Sequence, residues 1–139
     1  MLKYDDINSA RENYIDHPLF KNCIEIWCPK GWIIYLDKIV SRIEEYNSEC
    51  PDKHQVRFAQ VKIKFGMLTV YIESLYESEG WAKSARDADI YNFINSVCRD
   101  ALQHCTFCGN ELVKMVIDSN IKHVCWDHMP NGRRYDGKV

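Results

Sequence analysis

Cys105-Thr106-Phe107-Cys108-Gly109, followed by Cys125-Trp126-Asp127-His128 with sixteen residues between Cys108 and Cys125, decides how the C-terminal part of this chain folds. Two ligand pairs, each spaced by two residues and joined by a hairpin-sized span, match a structural zinc site. A CxxC knuckle turns tightly enough for two thiolates to reach one ion, and its backbone N–H groups can donate to the sulfurs. Gly109 suits the left-handed or crowded backbone that follows such a turn. Cys105, Cys108, Cys125 and His128 close a tetrahedron and leave no position for water, so the expected site is structural rather than catalytic. Sulfur ligation favours Zn2+ over Ca2+ or Mg2+. His104 and His123 lie beside these positions and compete with His128 for the fourth place. A redox pair or an iron–sulfur cluster is the lesser alternative, because this CxxC follows a helix and a CxxH closes the pattern.

Upstream of the knuckle, Ala85, Ala88, Tyr91, Ile94, Asn95, Cys98 and Leu102 recur at helical spacing, with Ser84 as a cap. This helix delivers the chain into Cys105. Downstream, 111–117 and 121–124 read as two strands around an Asp118-Ser119-Asn120 turn. Further back, Val56, Phe58, Val61, Ile63 and Phe65 alternate, with one change of phase between Phe58 and Val61 that predicts a bulge. Gly66 is the turn, and Leu68, Val70 and Ile72 continue one face of the returning strand. Such a ribbon cannot stand alone in water. It needs the helix predicted over 32–47, where Trp32, Leu36, Ile39, Val40, Ile43 and Tyr46 form an apolar stripe. Residues 51–55 and 77–84 read as polar connections, and Pro29-Lys30-Gly31 as a turn. Before it, Leu19, Phe20, Cys23, Ile24, Ile26 and Trp27 form an apolar cluster expected in the core. A short helix over 9–14 ends before the His17-Pro18 break.

The fold class is therefore α+β: helix, β-hairpin, helix, then a zinc-stapled β-hairpin of the zinc-ribbon or knuckle kind. Residues 1–104 form the core with an N-terminal arm, 105–128 the zinc-binding hairpin packed on it, and 129–139 a flexible tail. With 139 residues, 46% of them apolar, the chain suits one globular domain rather than a disordered one. Its charged and polar first twenty residues and seven cysteines suggest a cytoplasmic setting with reduced thiols. No apolar run is long enough to span a membrane.

The net charge of −2 disfavours a protein whose affinity comes from phosphate neutralisation. A local patch remains: Arg57, Lys62 and Lys64 on the first strand, with Arg133, Arg134 and Lys138 in the tail, are candidate contacts for nucleic acid or another partner. Solvation of a sheet edge accounts for the same residues. The sequence has no HExxH, phosphate loop or nucleophile elbow, and Glu44 with Glu45, or Asp87 with Asp89, do not converge across a helix. No catalytic residue is assigned. The leading expectation is a non-enzymatic protein that binds a partner protein, with a nucleic-acid-binding zinc module and a small hydrolase or nuclease as alternatives.

Gly31-Trp32, the helix after it, and Val61-Lys62-Ile63-Lys64-Phe65-Gly66-Met67-Leu68-Thr69-Val70-Tyr71 resemble a widespread family of small bacterial and phage proteins. That family carries a Gly-Trp helix start, a "VKxKFGxLRxY" hairpin, a second helix and a C-terminal CxxC…CxxH site. The resemblance covers roughly residues 31–128, and Thr69 departs from it where the family has Arg. It implies the same fold and zinc site. Phage occurrence in the family implies a host-interacting or anti-defence role in the cytoplasm of a bacterial host.

Overall fold

The computed structural model describes residues 10–49, 55–74, 85–109, 114–117 and 121–125. Three helices, α1 (Ala10–Tyr14), α2 (Ile33–Glu49) and α3 (Ala85–Ala101), accompany two antiparallel hairpins, β1 (Val56–Lys64) with β2 (Met67–Ser74) and β3 (Lys114–Ile117) with β4 (Ile121–Val124). The result is a mixed α+β fold with helix, hairpin and helix in that order, ending in a cysteine cluster.

The apolar period of α2 does what its spacing requires. Leu36, Ile39, Val40, Ile43 and Tyr46 are buried, joined by Tyr35 from the preceding position. Along the first hairpin, Val56, Phe58 and Val61 of β1 and Leu68, Val70 and Ile72 of β2 are buried in the same core. The expected bulge lies between Phe58 and Gln60, so Ala59 is the extra residue. It keeps both Phe58 and Val61 inside although they are three positions apart.

The tight turn is Phe65-Gly66, with φ of 53° and 77°. Two positive φ values identify the two-residue turn whose twist matches a right-handed hairpin. Gly66 takes this conformation readily, whereas Phe65 bears the steric cost and is 80% exposed.

The N-terminal segment folds along β1. His17 is extended, and its Nδ1 accepts the Leu19 N–H at 3.1 Å, capping a single 3-10 turn over Pro18–Phe20. This turn inserts Phe20 between two rings: Tyr14 at 4.9 Å and Phe58 at 4.4 Å, both stacked. The Tyr14 hydroxyl donates to Asp37 of α2; burial first, then that carboxylate, pushes its pKa up. The arm then runs beside β1. Ile24 N–H donates to Ala59 O at 2.8 Å, Val61 N–H to Glu25 O at 2.9 Å and Trp27 N–H to Val61 O at 2.9 Å.

Two expectations need correcting. Ile24 does not join the core; it is 80% exposed, because its backbone rather than its side chain makes the contact with the sheet. The buried stripe of α3 is Ile90, Ile94, Val97, Cys98 and Ala101, whereas Asn95 faces solvent and Tyr91 is half-buried. A buried Asn would need partners for its whole amide, and Ile90 fills the apolar position without that demand. The expected Pro29-Lys30-Gly31 turn is a 3-10 turn over Lys30–Trp32 that leads directly into α2. The predicted connection at 77–84, the Ser84 cap, the Asp118-Ser119-Asn120 turn and the tail 129–139 lie outside the described residues.

The strained turn yields a stability prediction. Phe65→Asn places a residue that tolerates positive φ before Gly66, and should raise stability by about 1 kcal/mol. The urea midpoint measures this; an unchanged or lower midpoint would mean that Phe65 carries no backbone strain.

Candidate metal centre

Where α3 ends, Leu102, Gln103 and His104 donate their N–H groups three residues back, to Arg99, Asp100 and Ala101, tightening the last turn. The chain then enters the knuckle. Phe107 N–H points at Cys105 Sγ at 3.4 Å, and Gly109 N–H closes onto Cys105 O at 2.8 Å. Gly109 has φ of 78°, the left-handed conformation expected after the turn.

The knuckle is seated on the start of α2. Gly31 N–H donates to Thr106 O at 2.8 Å, and Trp32 Nε1 donates to His104 O at 2.9 Å. A side chain at Gly31 has no room: its Cβ would lie 2.1 Å from Cys105 O, 2.7 Å from Gly109 N and 2.8 Å from Thr106 C. All three are backbone atoms and cannot rotate away. On the opposite side of the same residue, Thr106 N–H donates to His123 O of β4 at 2.8 Å. Thr106 therefore joins α2 to the second hairpin through its own peptide groups, and Trp32 is fully buried beneath the joint.

This arrangement gathers three of the four predicted ligands. The sulfurs of Cys105, Cys108 and Cys125 all lie within 4.8 Å of one another, with Cys105 and Cys125 buried and Cys108 exposed. Cys108 Sγ and Cys125 Sγ are 3.7 Å apart. A disulfide would need about 2.0 Å. By contrast, a tetrahedron with zinc–sulfur bonds of about 2.3 Å has edges of about 3.8 Å. The soft donor set and this edge length fit a metal ion. The fourth predicted ligand, His128, lies outside the described residues.

The two competing histidines are engaged otherwise. His104 Nδ1 lies 2.7 Å from the Tyr35 hydroxyl and 3.0 Å from Asp100 O. His123 has its ring 6.2 Å from that of Trp32, and burial pushes its pKa down. Neither belongs to the sulfur cluster, which is the sole grouping of three or more His, Cys, Asp or Glu with converging ligand atoms among the described residues. Cys98 stands apart from the cluster, and burial pushes its thiol up to about 12. Cys28 is fully buried and shifted upward by the same cause.

The three strand cations among the predicted basic contacts each have a neighbour. Arg57 is paired with Glu73 across the hairpin at 2.9 Å. Lys62 lies over the Tyr71 ring and Lys64 over the Phe65 ring, each at 5.8 Å. Arg133 and Arg134 are outside the described residues. Among those residues, no helix is long and apolar enough to cross a membrane. Comparison with protein-family models, with curated proteins and with solved structures returns no match.

Sequence reading picked out the three cysteines that converge but missed their seat. A glycine immediately before a buried tryptophan at a helix start was the available signal, since such a pair lets a second backbone approach closely.

Two measurements follow. Elemental analysis should find one zinc per chain in the native protein and little in Cys105→Ser, whose C-terminal hairpin should lose its ordered signals by NMR. Gly31→Ala keeps every ligand, yet should destabilise the protein by about 2 kcal/mol and speed zinc loss to a chelator, because the added methyl group forces the knuckle away. Zinc retention at the native rate would contradict that coupling.

Proposed function

We propose that this chain is a non-enzymatic, zinc-stapled protein that works by binding a partner protein. One observation carries the reading. The three sulfurs converge within 4.8 Å of one another beside a joint where Thr106 bonds Gly31 on one side and His123 on the other. A metal held there supplies cohesion rather than an open coordination position. His128 supplies the fourth ligand and Zn2+ is the ion, with β3 and β4 forming the zinc-ribbon-like hairpin. Binding surfaces then belong to the rest of the molecule, where Phe65, Met67 and Tyr71 of the first hairpin are exposed. The family resemblance adds the setting: a phage-encoded factor that engages a host protein during takeover or against host defence, in the bacterial cytoplasm.

A nucleic-acid-binding role has weaker support. Of the three strand cations that it would use, Arg57 is already neutralised by Glu73.

Affinity capture from bacterial lysate with the zinc-loaded protein tests the reading. The expected result is a stoichiometric complex with one protein that survives nuclease treatment and high salt. Capture that disappears with nuclease, or turnover of a phosphodiester or peptide substrate by the purified chain, would refute it.

A further inference from the structure

The outward face of the first hairpin differs in chemistry between its two ends. Residues directly opposite each other in a hairpin share a face. Lys64 with Met67, Lys62 with Thr69 and Gln60 with Tyr71 therefore stand on the side away from the core. Leu68, Val70 and Ile72 alternate with them along β2 and are buried on the other side. Away from the turn, the outward face holds two carboxylates, each already bonded. Glu73 meets Arg57 at 2.9 Å, and Glu25 of the arm accepts from Gln60 Nε2 at 2.8 Å. Toward the turn, the face is cationic and apolar. Lys62 Nζ lies over the Tyr71 ring and Lys64 Nζ over the Phe65 ring, each 5.8 Å from the centroid.

The exposed large apolar side chains of this hairpin belong to the turn end. Phe65 is 80% exposed, and Met67 and Tyr71 are 37% exposed each. A partner reaches them without moving any part of the fold. Phe65 also holds a φ of 53°, which is costly for a bulky residue. Asn or Gly fits that turn position without the cost, and the ring fills no part of the core.

Two rows of side chains result. Lys62 and Lys64 form one, about 6.8 Å apart along β1. Tyr71, Thr69 and Met67 form the other, about 4.8 Å away on β2, with Phe65 closing the end. An extended segment lays a single row of side chains on a surface, whereas a helix lays two adjacent rows, at i, i+4 and at i+3, i+7. Carboxylates four positions apart on a helix are separated by about 6 Å along its axis, close to the lysine spacing.

We propose that the turn half of this face is the docking surface for an amphipathic helix of a partner protein, one that carries an acidic row beside an apolar row. The acidic row meets Lys62 and Lys64, and the apolar row covers Tyr71, Met67 and Phe65. Charge selects this occupant over two others. A second copy related by a two-fold axis at this surface would bring the two lysine pairs together. A nucleic acid draws its affinity from many phosphate contacts. Here a phosphate chain would meet two lysines and then Glu25 and Glu73, on a protein of net charge −2. The proposal rests on the partner-binding reading and names its surface and the chemistry of the partner.

The test titrates the zinc-loaded full chain with a short capped helical peptide, glutamate at i and i+4 beside leucine at i+3 and i+7, followed by NMR. The expected result is shifts confined to the turn half of the hairpin, at Lys62, Lys64, Phe65, Met67, Thr69 and Tyr71. Lys62→Glu together with Lys64→Glu should weaken binding about tenfold or more, since attraction becomes repulsion. Phe65→Asn is the sharper variant. It should stabilise the chain and yet weaken the peptide about tenfold by removing an aromatic anchor, a combination that damage to the fold does not produce. Five results would overturn the proposal: no shifts at millimolar peptide, equal binding of a peptide with lysine in place of glutamate, native affinity in Phe65→Asn, tighter binding of oligothymidine than of the acidic helix, or the same shifts on raising the protein concentration alone, which marks a second copy. A partner captured from lysate whose footprint lies away from the Phe65 turn would overturn this surface while the partner-binding reading stands. Peptide binding at the turn with no partner captured would support the surface and count against the broader reading.

Discussion

The contact between Gly31 and the knuckle is the constraint on which the rest of the molecule depends. A bond from Gly31 N–H to Thr106 O brings two backbones together with no side chain between them. That approach positions Trp32 under the knuckle, where its indole N–H satisfies His104 O, the last carbonyl before Cys105. Because Thr106 also bonds β4, the same peptide plane relates the helical core to the second hairpin. The knuckle therefore does more than turn the chain. It forms the surface against which α2 begins, and a distortion on either side of the joint reaches the other through atoms that have no rotamers to absorb it.

Local signals in the sequence were readable because the physics behind them is local. Helical spacing in α2, alternation in the first hairpin and the change of phase at Ala59 each reflect a few neighbouring residues sharing one buried face. The cysteine spacing is of the same kind, since a knuckle is a short-range turn. What escaped reading depends on distant partners. Gly31 before Trp32 signals a close backbone approach, but nothing local says that residues 105–109 make it. Ile24 looks like a core residue in composition, yet a carbonyl freed by the bulge at Ala59 draws its backbone to the sheet edge and leaves its side chain in water. Asn95 and Ile90 exchange roles on α3 for a related reason: both fit a helical repeat, and the packing partner decides which position is inside. His104 and His123 were plausible ligands by position alone, but Tyr35, Asp100 and Trp32 take up their surroundings.

The two hairpins embody different solutions to the same shortage of core. The second is short and is tied to the knuckle through Thr106 and the cysteine cluster. The first is long enough to bury one face on α2 and α3, and it carries the exposed aromatic turn. Phe65 is unfavourable there on local grounds, being apolar, exposed and at positive φ. A residue that lowers stability without filling the core is better explained by what it meets outside the molecule than by the fold itself.

The Gly31 joint also has a consequence for how the chain matures. Trp32 and its partner His104 are separated by 72 positions, so during synthesis the residues up to 104 must leave the ribosome before the tryptophan can be covered. Until then the apolar stripe of α2 has the arm and the first hairpin to pack against, but its N-terminal end stays open. Closure waits for residues 105–109 to emerge. Until then the chain carries an uncovered tryptophan, a form that proteases and chaperones recognise.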